Sequence, residues 1–147
     1  MSLSRDNTFQ ETETPSRQDY AHYLKAEASG LHSRNGTLST KAPRLSVIIP
    51  ARNEEQTIKH TLDRLHPADR LEVIVVDGES VDQTSAVARS FGATVIKSKP
   101  GRGVQMNAGA IAASGDILLF LHADTMLPTG FELHVVQALA NPQVSAG

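Results

Sequence analysis

"LFLHADTMLP", residues 119–128, decides how the whole chain is read. It closes an apolar run that begins at Ile117 and stops abruptly at His122-Ala123-Asp124, two polar side chains one residue apart, with Pro128 shortly after. A short continuous apolar run ended by polar and turn residues predicts a strand buried on both faces, over residues 117–121, rather than the alternating strand of a half-exposed sheet.

The same pattern recurs upstream. "LSVIIP" (45–50), "EVIVV" (72–76) and "ATVI" (93–96) read as three further strands, the last shorter and less apolar. Between them the period changes to that of a helix. Ile58, Leu62 and Leu65 share a face in "NEEQTIKHTLDRL", where Asn53 is expected to cap and Gln56 to reach back to it. A second helix is expected from Ser80, with Gln83 in the capping-box position, ending at Gly92. Val104 to Ser114 predicts a small-residue helix closed by Gly115, and "FELHVVQALA" a last helix after Pro128. Four strands alternating with helices, each strand apolar throughout, predict an α/β fold: an open, mostly parallel sheet with helices on both faces.

Composition narrows what such a domain can do. With 147 residues and 39% hydrophobic content the chain can bury one core. A formal net charge of -2 supplies no basic field for nucleic acid or an anionic membrane. Cysteine is absent, which excludes disulfides, thiolate metal sites and a cysteine nucleophile. The first residues carry no apolar leader and no run is long enough to span a bilayer, so a cytoplasmic protein is expected. Residues 1–44 are polar and poor in large apolar side chains, and are expected to be a disordered tail, with one short helical turn allowed between Ser16 and Leu24.

Right-handed crossovers place the carboxyl end of every parallel strand on one rim, and ligands bind there where the strand order reverses. The residues following the strands therefore belong together: Ala51-Arg52-Asn53-Glu54, Asp77-Gly78-Glu79-Ser80, the cationic stretch Lys97 to Gly103, and His122-Ala123-Asp124. Two acids on one rim repel each other unless a cation lies between them. Mg²⁺ held jointly by a carboxylate and a polyphosphate resolves that mismatch.

The stretches "SVIIPARNEE", "EVIVVDGESVDQT", "KPGRGVQMNAGA" and "GDILLFLHADTMLP" stand in an order and spacing that resembles the family 2 glycosyltransferases, enzymes of the GT-A fold with nucleotide-sugar donors. The "HAD" and "GRGVQMNAG" forms look most like the selenodomain-associated or arsenosugar-biosynthesis subgroup. The resemblance implies a metal-assisted, inverting transfer from a UDP- or GDP-linked sugar to an unknown acceptor, and a chain that is C-terminally incomplete, residues 45–147 being the donor-binding half.

Residue by residue, it implies that Asp77 accepts a hydrogen bond from the N–H of the donor's base, which suits a group that can only accept. Uracil and guanine both offer such a donor, so UDP and GDP are not distinguished. Ala51, Arg52 and Glu54 fall in the loop that wraps the nucleotide. A tyrosine is common where Arg52 stands, and a guanidinium can stack on a base in its place. Placement ahead of a helix explains Glu54 equally well. Arg102, with Lys99 close by in a glycine-containing turn, suits the diphosphate. His122-Ala123-Asp124 takes the place of the family's DXD motif, with Asp124 on Mg²⁺ or Mn²⁺ and His122 toward the ribose or a metal-bound water. Close helix packing explains Gly109 as well as function does, and Asp116 reads as a strand-entry residue. No general base is recognised; Glu79 lies near the rim without support from the resemblance. A nucleotide-binding module without catalysis, or an unrelated phosphate-binding α/β protein, would share the pattern.

Overall fold

The computed structural model describes residues 43–67 and 70–140. The expected turn between Ser16 and Leu24, and nearly all of the segment expected to be disordered, lie outside them. The described elements are β1 (Leu45–Ala51), α1 (Ile58–Leu62), β2 (Leu71–Asp77), α2 (Thr84–Ser90), β3 (Thr94–Lys97), α3 (Arg102–Ala112), β4 (Ile117–Phe120) and α4 (Phe131–Ala140). The four strands form one sheet in the order β3-β2-β1-β4, and every pairing is parallel. The predicted sheet is therefore observed, with its order reversing between β1 and β4.

Strand polarity explains the two layers. Alternate residues of a strand point to opposite faces. On one face Val47, Ile49, Val73 and Val75 pack with Ile58, Leu62 and Leu65, Ala88 of α2 and Phe131 of α4. On the other, Ile48, Ile74 and Val76 meet Ala108, Ala110 and Ala113 around α3. Both central strands are buried on both sides, which is why β1 and β2 read as unbroken apolar runs. The small residues of α3 let it lie close to the sheet: a Cβ on Gly109 would collide with Ile48 and press on Val76. Packing thus accounts for this glycine.

Two helices differ from expectation at their amino ends. The first is confined to Ile58–Leu62, preceded by a turn in which the Thr57 and Ile58 amides donate to the Glu54 carbonyl. Asn53 does not cap it: Asn53 adopts a left-handed conformation (φ 57°) and its side-chain oxygen accepts from the Val81 amide at 2.9 Å. The second begins at Thr84 rather than Ser80, and Asp82 accepts from the Thr84 amide at 2.9 Å. The expected capping boxes are displaced because Asn53 and Ser80 bond between loops instead of within helices, while the Gln56 side-chain amide donates to Glu55 at 3.2 Å. Strand β3 runs one residue later than predicted. Leu121 falls just past β4, buried, with its amide still donating to the Ile48 carbonyl. β4 itself is not buried on both faces as expected: its burial alternates, with Leu118 40% and Phe120 42% exposed, because it is an edge strand of the described sheet, paired on one side only by β1.

The amino end of the sheet is closed by a polar knot. Glu72 accepts from the Ser46 hydroxyl at 2.6 Å, the Ser114 amide at 2.9 Å and the Ser114 hydroxyl at 3.1 Å, while Ser46 accepts from the Gly115 amide at 2.9 Å. Asp116 accepts from the Arg44 amide at 2.9 Å, in keeping with a residue that starts a strand.

Candidate functional site

All four carboxyl ends lie on one rim, and Ala51, Asp77 and Lys97 stand abreast there in β1, β2 and β3. The loops that follow β1 and β2 are laced together by side chains. The Asn53 amide donates to the Ser80 hydroxyl at 3.0 Å, the Glu54 amide to the Thr84 hydroxyl at 2.8 Å, and the Glu55 amide to Asp82 at 3.2 Å. Glu55 in turn accepts from the Gln83 amide at 2.9 Å. Two non-glycine residues, Asn53 and Glu79, hold left-handed backbone here, one in each loop. Strained conformations of this kind persist only where their surroundings over-determine them, as this lacing does.

Asp77 is 2% exposed and sits at the centre of that lacing. It accepts from the Ser80 amide at 2.8 Å and from the Ser85 hydroxyl. Burial raises its pKa, but the hydrogen bonds from Ser80 and Ser85, with the positive charge of Lys97, outweigh burial and hold the carboxyl below its usual range. Asp77 is thus a fixed anion tied to the start of α2, and two bonds leave a carboxylate with further lone pairs to offer. The Ser80 hydroxyl, expected to cap α2, accepts the Asn53 amide instead. Burial likewise raises the Asp82 carboxyl, and hydrogen bonds from Thr84 and Glu55 lower it by more.

Glu54 is half-buried, and its carboxylate accepts from the Thr57 hydroxyl. It lies ahead of α1, whose first turn contains no acid, so its visible work is to shape the turn before the helix. Ala51 is buried, and its carbonyl accepts both the Gly78 amide at 2.9 Å and the Gln105 side-chain amide at 2.9 Å. Gln105 also donates to the Val76 carbonyl at 2.8 Å, so this buried glutamine of α3 joins the ends of β1 and β2. The methyl of an alanine at position 78 would stand 2.9 Å from the Gln105 amide. Arg52, Lys99 and Arg102 are exposed, with Arg102 opening α3.

Burial alternates along His122-Ala123-Asp124. Ala123 is buried, while His122 and Asp124 on either side are exposed. The middle residue is a peg: its carbonyl accepts from the buried Thr61 hydroxyl of α1 at 2.7 Å, and the turn is closed by the Thr125 amide donating to the His122 carbonyl at 3.1 Å. Two potential ligands are held outward beside β1, where the strand order reverses. Among the described residues no three His, Asp or Glu side chains gather into a metal cage. One exposed carboxylate fits a hard divalent cation whose remaining ligands come from phosphate oxygens and water, for which an imidazole is the poorer partner.

The expected residues thus share one rim, with Asp77, Ala51 and Glu54 built into its wall and Arg52, Arg102, His122 and Asp124 displayed from it. Ser85, Asp82, Thr84, Gln105 and Thr61 were not singled out from the sequence. The available signal was a polar side chain at an apolar position: Gln105 among the small residues of α3, and Thr61 on the face of Ile58, Leu62 and Leu65.

Fold and rim together define a doubly wound α/β domain, open at the carboxyl rim of its sheet. The sequence model of glycosyl transferase family 2 matches residues 46–146, and the chain belongs to that family. The "Probable glycosyltransferase YdaM" of Bacillus subtilis (strain 168) is 31% identical over 138 residues, covering 84% of this chain and 32% of the relative. Among solved structures, the mannosyltransferase PcManGT from Pyrobaculum calidifontis, in complex with GDP-Man and Mn²⁺, superposes with a TM-score of 0.64 at 27% identity, covering 85% of this chain and 40% of that one. Glucosyl-3-phosphoglycerate synthase from Mycobacterium tuberculosis, in complex with Mn²⁺, UDP and glucosyl-3-phosphoglycerate, gives 0.58 at 30% identity, covering 84% and 43%. The chain spans about a third of the length of the curated relatives it matches. No helix of the described residues is long and apolar enough to cross a membrane.

Proposed function

We propose that residues 45–147 form the donor-binding half of a glycosyltransferase that takes a UDP- or GDP-linked sugar at the carboxyl rim and passes it, with inversion, to an acceptor hydroxyl. The observation that carries this reading is the pairing, across the reversal of strand order, of a buried, ionised Asp77 with an exposed Asp124 and His122. In this reading Asp77 accepts the N–H of the base, Arg52 stacks over it, and Ala51 and Glu54 shape the wall of the base pocket. Arg102 meets the diphosphate, His122 the ribose or a metal-bound water, and Asp124 the metal.

A divalent cation at Asp124, Mg²⁺ or Mn²⁺, supplies charge stabilisation for the departing nucleoside diphosphate. The acceptor oxygen forms its bond to the anomeric carbon as the bond from that carbon to the diphosphate oxygen breaks. The hydroxyl proton must pass to a general base, and no residue of this chain is assigned that role. The Mn²⁺ complexes of the two similar enzymes support the metal, and their GDP-Man and UDP support the donor class.

Calorimetry tests the reading. UDP or GDP should bind more tightly with Mn²⁺ than without it, and Asp124→Ala should remove that difference while the fold is retained. Equal affinity with and without metal would overturn the metal assignment. A nucleotide-binding module without catalysis shares this binding chemistry; it predicts metal-linked binding with no sugar transfer to any acceptor tried.

A further inference from the structure

Thr61 is an anomaly in α1. It sits on the apolar face with Ile58, Leu62 and Leu65, 1% exposed, where an aliphatic side chain would fill the space without a polar atom to satisfy. Its hydroxyl is used once, as a donor at 2.7 Å to the carbonyl of Ala123, 62 residues further along the chain. Three bonds then define the path of the chain after β4: the Leu121 amide to the Ile48 carbonyl, the Thr61 hydroxyl to the Ala123 carbonyl, and the Thr125 amide to the His122 carbonyl. Two of these are backbone to backbone. The third is the one bond of the set that depends on a side chain, and it acts on the residue between His122 and Asp124.

The helix that delivers the hydroxyl is itself anchored. The turn leading into it is held by the Glu54 amide on Thr84 and the Glu55 amide on Asp82. The Ala123 carbonyl is consequently referenced, through Thr61 and α1, to the loops around Asp77. A carboxylate that ligates a small divalent cation tolerates little displacement, since coordination distances are fixed to within about 0.2 Å. Loss of a partner that orients a metal ligand typically costs about 10- to 100-fold in metal affinity.

From this geometry we infer that Thr61 is a positioning residue for the metal-side turn, fixing the Asp124 carboxylate by holding the Ala123 carbonyl. The inference rests on the proposed role of Asp124. Removing the hydroxyl while keeping the side chain's shape leaves a buried carbonyl without its donor. The turn then moves to reach water and carries Asp124 with it.

The experiment measures Mn²⁺ affinity in the presence of saturating UDP, and UDP affinity without metal, on the full 147-residue chain. Thr61→Val should weaken Mn²⁺ by about tenfold or more, the scale seen when an orienting partner of a metal ligand is lost. Metal-free UDP affinity should fall by clearly less than Mn²⁺ affinity, because Asp77 and its serine donors are untouched and only the His122 contact lies on the displaced turn. Thr61→Ser, which keeps the hydroxyl, should restore Mn²⁺ affinity. Unchanged Mn²⁺ affinity in folded Thr61→Val overturns the inference, as does an equal fall in metal-free UDP binding, which marks a purely structural role. Should Thr61→Val not fold, Thr61→Ser and Thr61→Ala decide it: Mn²⁺ affinity that does not separate the two sinks the proposal. Failure of the underlying function is seen separately, as absence of any Mn²⁺ effect in the unmutated chain.

Discussion

Glu72 and Asp77 stand at opposite ends of β2 and have reached the same electrostatic solution. For each, burial pushes the carboxyl up, and serine donors with a nearby cation bring it below its usual range. Glu72 has Ser114 and Ser46 with the charge of Arg44, and Asp77 has Ser80 and Ser85 with that of Lys97. Their surroundings differ. At the amino end the bonds close on themselves, since Ser46 accepts from Gly115 and Asp116 takes the Arg44 amide. At the carboxyl end the bonds lace two loops together yet leave Arg52, Glu79, Arg102, His122 and Asp124 exposed. A depressed carboxylate with serine partners therefore does not mark a site. The polarity of the parallel sheet and the unspent side chains around the carboxylate do.

The largest expected effect comes from one added methyl at each end. At Gly115 a Cβ would lie 2.6 Å from the Ser46 hydroxyl and 2.8 Å from both the Arg44 carbonyl oxygen and the Ser46 amide nitrogen. Two of those neighbours are backbone, so Gly115→Ala should cost about 1–3 kcal/mol or more in urea unfolding. Nucleotide affinity of the folded fraction should be unchanged. At Gly78 the three atoms nearest the methyl all belong to the far end of the Gln105 side chain, which can swing away at the cost of its own hydrogen bonds. Gly78→Ala should cost less stability, but frees the ends of β1 and β2 and weakens nucleotide binding. Equal losses of stability would break the contrast between a closed knot and an adjustable rim.

Asp77→Asn and Glu72→Ala sharpen it. An asparagine keeps an acceptor for the Ser80 amide and can donate to the Ser85 hydroxyl, so the fold should survive. The contact with the base N–H should be lost, for about 1–3 kcal/mol of nucleotide affinity by calorimetry. Glu72→Ala strands the Ser46 and Ser114 donors and should lower stability while leaving affinity alone. Unchanged affinity in folded Asp77→Asn would remove Asp77 from the site.

The two ends also differ in how far they could be read beforehand. β1, β2 and the two later helices were legible because burial constrains them: β1 and β2 are apolar throughout, and α3 is made of small residues because Gly109 lies against Ile48 and Val76. β4 was legible as a strand but not as an edge, since Leu118 and Phe120 are apolar yet exposed. The rim itself followed from parallel topology. The lacing was not legible. Bonds such as Asn53 to Ser80 and Glu55 to Asp82 join loops far apart in the chain, and they leave no periodic trace. Short polar residues ahead of a helix satisfy a capping rule equally well, which is why Asn53, Ser80 and Gln83 pointed to caps that the structure spends elsewhere. Thr61 was hidden for the opposite reason, since its position fits the apolar period and only its hydroxyl departs from it.

The smallest expected effect is in acid, and it separates the two carboxylates without disturbing either end sterically. Both have folded-state pKa values below their ordinary ones, so each contributes stability that is fully present above the ordinary carboxylate range and is lost as pH falls through the folded value. Stability should be flat from neutrality down to that range and then decline, by at most about 1.4 kcal/mol per pH unit for each proton taken up. Asp82, also depressed, adds to this decline in every variant. Glu72→Gln should make the acid limb shallower and leave the pH dependence of nucleotide affinity as it was. Asp77→Asn should make the same limb shallower and also remove the acid loss of affinity, because the anion that meets the base is no longer there to be protonated. The check is paired urea titrations and UDP calorimetry at stepped pH. If Glu72→Gln alters the binding profile as much as Asp77→Asn does, the two ends of β2 are coupled and the amino-end knot belongs to the site.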